Sequence, residues 1–162
     1  MKKIIILFLL IVNLCYSNSL GLTNTDIIIL KKIKSLTNDN FMKYTLMAIA
    51  IKESSVGKQL INNVSKDYGL FQANIKSVIR RQKVQDNIYN RNYFAKKLVY
   101  DAGFSTANAI VEIDYWRNVH KDNWIKVWAS YNTGWKYKST TGLNYASSVF
   151  DIVKKLKYEY DL

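Results

Sequence analysis

Residues 39 to 54, DNFMKYTLMAIAIKES, are apolar on nearly every side of the helix they spell. Such a helix has no face to offer water, so the chain has to wrap it in other elements. The wrapping is written in the same period. TDIIILKKIKSL (25–36) places apolar residues at 29, 30, 33 and 36, with Thr25 or Asn24 as its cap. Segments near 75–86, 90–102 and 105–119 read as helices separated by DN and AGF. In DNWIKVWASYNTG (122–134), Trp124, Val127, Trp128 and Tyr131 form one stripe, stopped by Asn132 and Gly134. NYASSVFDIVKKLKYEY (144–160) puts Tyr145, Val149, Ile152, Val153 and Leu156 on one face. The 162 residues contain no proline and six glycines, which permits long helices and argues against a turn-rich β-sandwich. Only residues 56–75 lose the period. There Gly57, Gly69 and the pair Asn62-Asn63 mark a loop with a short hairpin. The expected architecture is mainly α, one domain over residues 18–162, with a small turn-rich or β-hairpin lobe after the central helix.

The first 17 residues read as a signal peptide. MKK is the charged start, IIILFLLIVNL the apolar centre, and Cys15 and Ser17 are the small residues before a cut after Ser17. Cys15 is no lipoprotein site, because Leu14 before it is large. Cleavage would leave no cysteine, which excludes disulfides and thiol catalysis, and no stable membrane span. The expected location is exported, periplasmic or wall-associated. Losing Lys2 and Lys3 would lower the formal charge from +12 to +10, a balance that favours polyanions: nucleic acid, acidic lipid or an anionic cell wall. The lysines are scattered at helical surface spacing, as in KKIK (31–34) and KKLK (154–157), and read as solvated faces rather than as a nucleic-acid site.

The central helix ends on a single acid. Glu53 follows Leu46, Ile49 and Ala50 by seven, four and three residues and so shares their face. A carboxyl against apolar surface holds its proton to higher pH, as a general acid must near neutrality. On this feature alone a capping or ion-pairing role at a helix end is the reading to prefer. Its company narrows the choice. ESS (53–55), GLFQ (69–72), ASYNTG (129–134) and Tyr145 with Val149 occur in that order. With these four motifs the chain resembles the lysozyme-like lytic transglycosylases of the soluble lytic transglycosylase and goose-type lysozyme superfamily. The short single-domain form is most like the specialised members that accompany type IV secretion and conjugation.

The resemblance implies a lysozyme-like α+β fold whose helical body and small lobe flank a glycan cleft. It implies Glu53 as the acid and then the base that cleaves the bond between N-acetylmuramic acid and N-acetylglucosamine in peptidoglycan. The C6 hydroxyl of the same muramic acid closes a 1,6-anhydro ring without water, so one carboxyl suffices. Ser54 would support Glu53; Gln72, with Gly69 and Leu70, would line the cleft; Tyr131 and Asn132 would contact the sugar; Tyr145 would close the site behind. Tyr68 and Phe71 are sugar-stacking or packing residues. The implied partners are peptidoglycan strands and a component of a secretion or conjugation apparatus.

Asp67 opens an alternative. DYGLFQAN also resembles the DYGxxQxN turn of animal-type lysozymes, where a second acid makes the enzyme a hydrolase. Against it, goose-type lysozymes carry Asp two residues after the glutamine, and here Asn74 stands there, so Asp67 reads as a turn-former. A non-catalytic wall-binding or secretion-scaffold protein of the same fold is a further reading. His120 is the one histidine and is expected at the surface or against a helix dipole. With no second histidine, no HExxH, no Gly-rich phosphate loop and no GxSxG, neither a metal nor a cofactor is expected.

Overall fold

The computed structural model describes residues 19–160 and Leu162. The expected leader, residues 1–17, and the cut after Ser17 lie outside the described residues. The elements run α1 (Asn24–Lys34), α2 (Asn40–Ser54), β1 (Ile61–Asn62), β2 (Asp67–Tyr68), β3 (Ala73–Asn74), α3 (Ile75–Gln82), α4 (Ile88–Tyr100), α5 (Ala102–His120), α6 (Trp124–Thr133) and α7 (Thr140–Tyr158), with a 3-10 turn at Gly134–Lys136. The architecture is mainly α with a three-stranded antiparallel sheet, as expected.

The all-round apolar segment is the central helix. Leu46, Met47, Ala48, Ile49 and Ala50 of α2 are each 0% exposed. α1, α5 and α7 pack around α2, and α6 joins α5 to α7. Trp128 Nε1 on α6 donates to Thr45 Oγ1 on α2 at 3.2 Å, so this buried hydroxyl keeps a partner. A second, smaller core gathers Ile75, Val78 and Ile79 of α3 with Phe94 and Leu98 of α4, and Tyr68 packs against it. Two cores make two lobes, and the sheet lies at their border.

The loop expected over 56–75 holds three two-residue strands rather than one hairpin. Ile61 pairs with Tyr68 and Asn62 with Asp67, then Asp67 with Asn74 and Tyr68 with Ala73. Two-residue strands are too short to show alternation, so the sequence pattern could not resolve them.

One local expectation is corrected and a second is narrowed. The cap of α1 is Thr23, not Thr25 or Asn24. Thr23 and Asp26 form a reciprocal capping box, with Asp26 N–H donating to Thr23 Oγ1 and Thr23 N–H to Asp26 Oδ2. Asp26 also receives Lys58 Nζ at 2.9 Å. The Thr23 N–H first, and then Lys58, hold its carboxyl down at about 2. His120, expected at the surface or against a helix dipole, is the last residue of α5 and is half-buried there. Its Nε2 lies 2.8 Å from Ser130 Oγ, and its ring stacks on Trp116 and meets Tyr137 edge-on. Burial first, and Lys126 second, hold its pKa below the usual value.

Candidate active site

The site starts where α2 stops. Glu53 occupies the last turn, and Ser55 and Val56 turn the chain with φ of 51° and 59°. Positive φ is costly for a β-branched residue such as Val56 and needs support from its surroundings. Ser54 gives that support. Its buried Oγ donates to Ala50 O and, at 2.8 Å, to Leu70 O, and it accepts from Gly57 N–H at 3.0 Å. One hydroxyl therefore ties the end of the acid's helix to the Gly-Leu-Phe-Gln turn.

The turn is held from the other side as well. Gly69 has φ of 82°, and a Cβ there would lie 2.3 Å from Leu98 O and 2.7 Å from Ser105 Oγ. Only glycine lets α4 come this close. Tyr131 on α6 donates its hydroxyl to Phe71 O at 2.9 Å. Gln72, also left-handed at φ 46°, donates its side-chain amide to Gly69 O and Gln59 O. Its amide oxygen is the end left to a ligand.

Tyr145 reaches across from α7 and donates its hydroxyl to Glu53 Oε1 at 2.6 Å. Burial raises the Glu53 pKa above the usual carboxyl range; the Tyr145 bond opposes that, the charge of Asp67 adds to it, and Lys52 opposes it. Burial, and then the Glu53 charge, push both Tyr145 and Tyr131 well above the usual tyrosine range, so both hydroxyls remain donors.

Glu53, Asp67 and Gln72 stand together at the waist of a cleft. On one side is a cavity of about 310 Å³ bounded by Asn74, Tyr131 and Asn132; on the other is one of about 750 Å³ bounded by Leu60, Asn63 and Tyr100. Asp67 faces the cleft from β2, and its Oδ1 accepts from Asn74 Nδ2 at 2.8 Å. Asn74 also caps α3 by accepting from Lys76 N–H. The residue that stands where a goose-type aspartate would be thus fixes Asp67 and starts the next helix.

The expected site residues fall into three groups. Glu53, Asp67, Gln72, Tyr131 and Asn132 line the cleft, and Tyr145 touches Glu53. Ser54, Gly69, Leu70 and Phe71 are buried behind it, and Phe71, at 0% exposure, packs in the main core. Tyr68 lines a neighbouring groove with Asn92 and Lys96. The sequence reading missed Arg81 and Glu112 in the wall of the smaller cavity. Arg81 Nη1 donates to Glu112 Oε2 at 2.8 Å and to Asn108 O, while Trp116 Nε1 donates to Glu112 Oε1. Asn108 and Glu112 are four apart on α5 and share a face, which is the signal that could have found them.

A helical body, a three-stranded lobe and a half-buried acid at the waist of the cleft between them define a lysozyme-like protein. The chain belongs to the Transglycosylase SLT domain family, which matches residues 32–148. It is 33% identical over 116 residues to a protein of Enterobacteria phage T4 described as an uncharacterized 20.7 kDa protein in the vs-regB intergenic region. That match covers 70% of this chain and spans 62% of the length of the phage protein. No solved structure matches the chain.

Proposed function

We propose that this chain is a peptidoglycan lytic transglycosylase with Glu53 as its single acid and base. The observation that carries the reading is the half-buried carboxyl of Glu53 at the waist of the cleft, held at Oε1 by Tyr145 and with its pKa raised by desolvation. With Oε1 held, Oε2 is left to carry the transferable proton. That proton passes to the glycosidic oxygen between N-acetylmuramic acid and N-acetylglucosamine as the C1–O bond breaks. The muramic acid's N-acetyl group assists at C1. Its C6 hydroxyl then bonds to C1 and returns a proton to Glu53, giving a 1,6-anhydro end. An internal nucleophile at high effective concentration makes an activated water unnecessary.

A muramidase reading has one observation in its favour: Asp67 lines the cleft beside Glu53 on both sides. A second carboxylate so placed could serve a hydrolase. The engagement of Asp67 Oδ1 by Asn74 supports a structural role instead.

Purified peptidoglycan digested with the protein separates the two by mass spectrometry. Anhydro-muramic ends, lighter by one water, support transglycosylation; reducing ends make the protein a muramidase. No release by folded protein favours a wall-binding scaffold. Export follows from the same proposal, with wall remodelling beside a secretion or conjugation apparatus as the task. Among the described residues no helix is long and apolar enough to cross a membrane. A mature protein recovered outside the cytoplasm and beginning at Asn18 is the expected result; a retained leader would refute the cut.

A further inference from the structure

The cleft does not end at the residues around Glu53. Its larger side shares Ile61, Asn63, Val99 and Tyr100 with a further groove of about 370 Å³, which Tyr68, Asn92 and Lys96 complete. We propose that this groove holds a further stretch of the glycan strand, with the Tyr100 ring as its stacking platform. The proposal rests on the glycan-cleaving reading above and names where the strand continues.

Three features support a sugar as occupant. Tyr100 is 84% exposed at the end of α4, a large ring held out to solvent at the junction of the two grooves. A ring with one open face and a polar tip matches the apolar face and hydroxyl rim of a pyranose. Asn63 and Asn92 bring amides that both donate and accept, as sugar hydroxyls do. Lys96 adds three donors and has no ion-pair partner among the described residues. A volume within the small-ligand range, lined by apolar surface with a few polar groups, is how such sites are built.

The platform is also fixed relative to the acid. Leu98, two residues before Tyr100, is buried in the small-lobe core, and its carbonyl lies against Gly69. Gly69 opens the turn whose Leu70 carbonyl binds Ser54 beside Glu53. Rigid packing thus links the groove to the acid, so a strand seated on Tyr100 is held in register with the bond to be cut.

The test uses Tyr100→Ala and Tyr100→Phe in the full protein, with glycan strands stripped of stem peptides and sorted by length. Binding is measured in a Glu53→Gln background and turnover in the active enzyme. For Tyr100→Ala, long-strand affinity and kcat/KM are expected to fall about tenfold. The loss on the shortest cleavable oligosaccharide should be several times smaller, and Tyr100→Phe should stay within about twofold of wild type because it keeps the ring face. Equal loss on short and long strands, or no loss on long ones, overturns the proposal. A loss seen only on strands that carry stem peptides assigns the groove to the peptide and also overturns it. If the unaltered protein neither binds nor cleaves glycan of any length, the glycan reading itself fails and this one falls with it. If it cleaves and Tyr100 makes no difference, only the groove assignment fails.

Discussion

Tyr145→Phe removes one hydroxyl and leaves the packing alone. The ring is 6% exposed in the main core, and phenylalanine fills the same space. What is lost is the 2.6 Å hydrogen bond to Glu53 Oε1. Hydrogen bonds to charged groups are worth about 1.5–3 kcal/mol. If this bond reaches that strength only as Glu53 passes from acid to carboxylate, its loss lowers kcat/KM by about 10- to 150-fold. The pH profile gives a second, independent reading. Burial raises the Glu53 pKa, and the Tyr145 bond opposes it by favouring the carboxylate. Removing the bond lets burial act with less opposition, so Glu53 holds its proton to higher pH and the alkaline limb of kcat/KM moves up. The assay is the initial rate of muropeptide release across pH, with a thermal melt to show that the variant is folded. A variant at wild-type rate with an unmoved limb would refute the orienting role. A limb moved to lower pH would refute the electrostatic reasoning.

Three other substitutions test the same frame. Glu53→Gln should abolish cleavage yet stabilise the fold at neutral pH. The folded pKa lies above the ordinary 4.5, so wild-type stability is fully present below that value and is lost as pH rises through the folded one. Glutamine carries no charge to desolvate, so its melting temperature should match wild type in acid and exceed it near pH 7. Asp67→Asn removes a like charge that raises Glu53, so the alkaline limb should move to lower pH while the products keep anhydro ends; a collapse of turnover by orders of magnitude would put Asp67 in the chemistry. Gly69→Ala places a methyl group 2.3 Å from Leu98 O at a left-handed position and should cost about 2–4 kcal/mol, read as a fall in melting temperature of about 4–16 °C.

What the sequence made legible was whatever repeats with a helical period or sits at a helix end. Leu46, Ile49 and Ala50 point to one buried face, and Glu53 stands on it at the C-terminal turn. Trp124, Val127, Trp128 and Tyr131 mark α6, whose outer turn carries Asn132 into the cleft. What stayed hidden depends on contacts between elements far apart in the chain. That the Tyr131 hydroxyl binds Phe71 O across 60 residues, rather than only facing a sugar, follows from how α6 crosses the turn. The Arg81–Glu112 pair joins α3 to α5, and each residue alone reads as ordinary surface charge. Phe71 was open between stacking and packing because a four-letter turn has no periodicity to say which way its ring points. Thr23, Asn24 and Thr25 are all capping types by sequence, and only the reciprocal bond with Asp26 singles out Thr23.

The geometry also gives a physical reason for four short motifs to occur together. Each leaves a polar requirement that another meets. The buried Leu70 carbonyl is met by Ser54, the Phe71 carbonyl by Tyr131, and the Glu53 carboxyl is held by Tyr145. Any one lost partner leaves a buried group costing about 1–3 kcal/mol. Around them sit three non-glycine residues at positive φ, Ser55, Val56 and Gln72, which need a surrounding structure that over-determines them. That support comes from two cores: α2 and α7 on one side, and α4 pressed against Gly69 on the other. The acid is therefore fixed by the whole fold rather than by its own helix. The motifs are spread over more than ninety residues because the hydroxyls that hold the turn and the acid have to arrive from different helices.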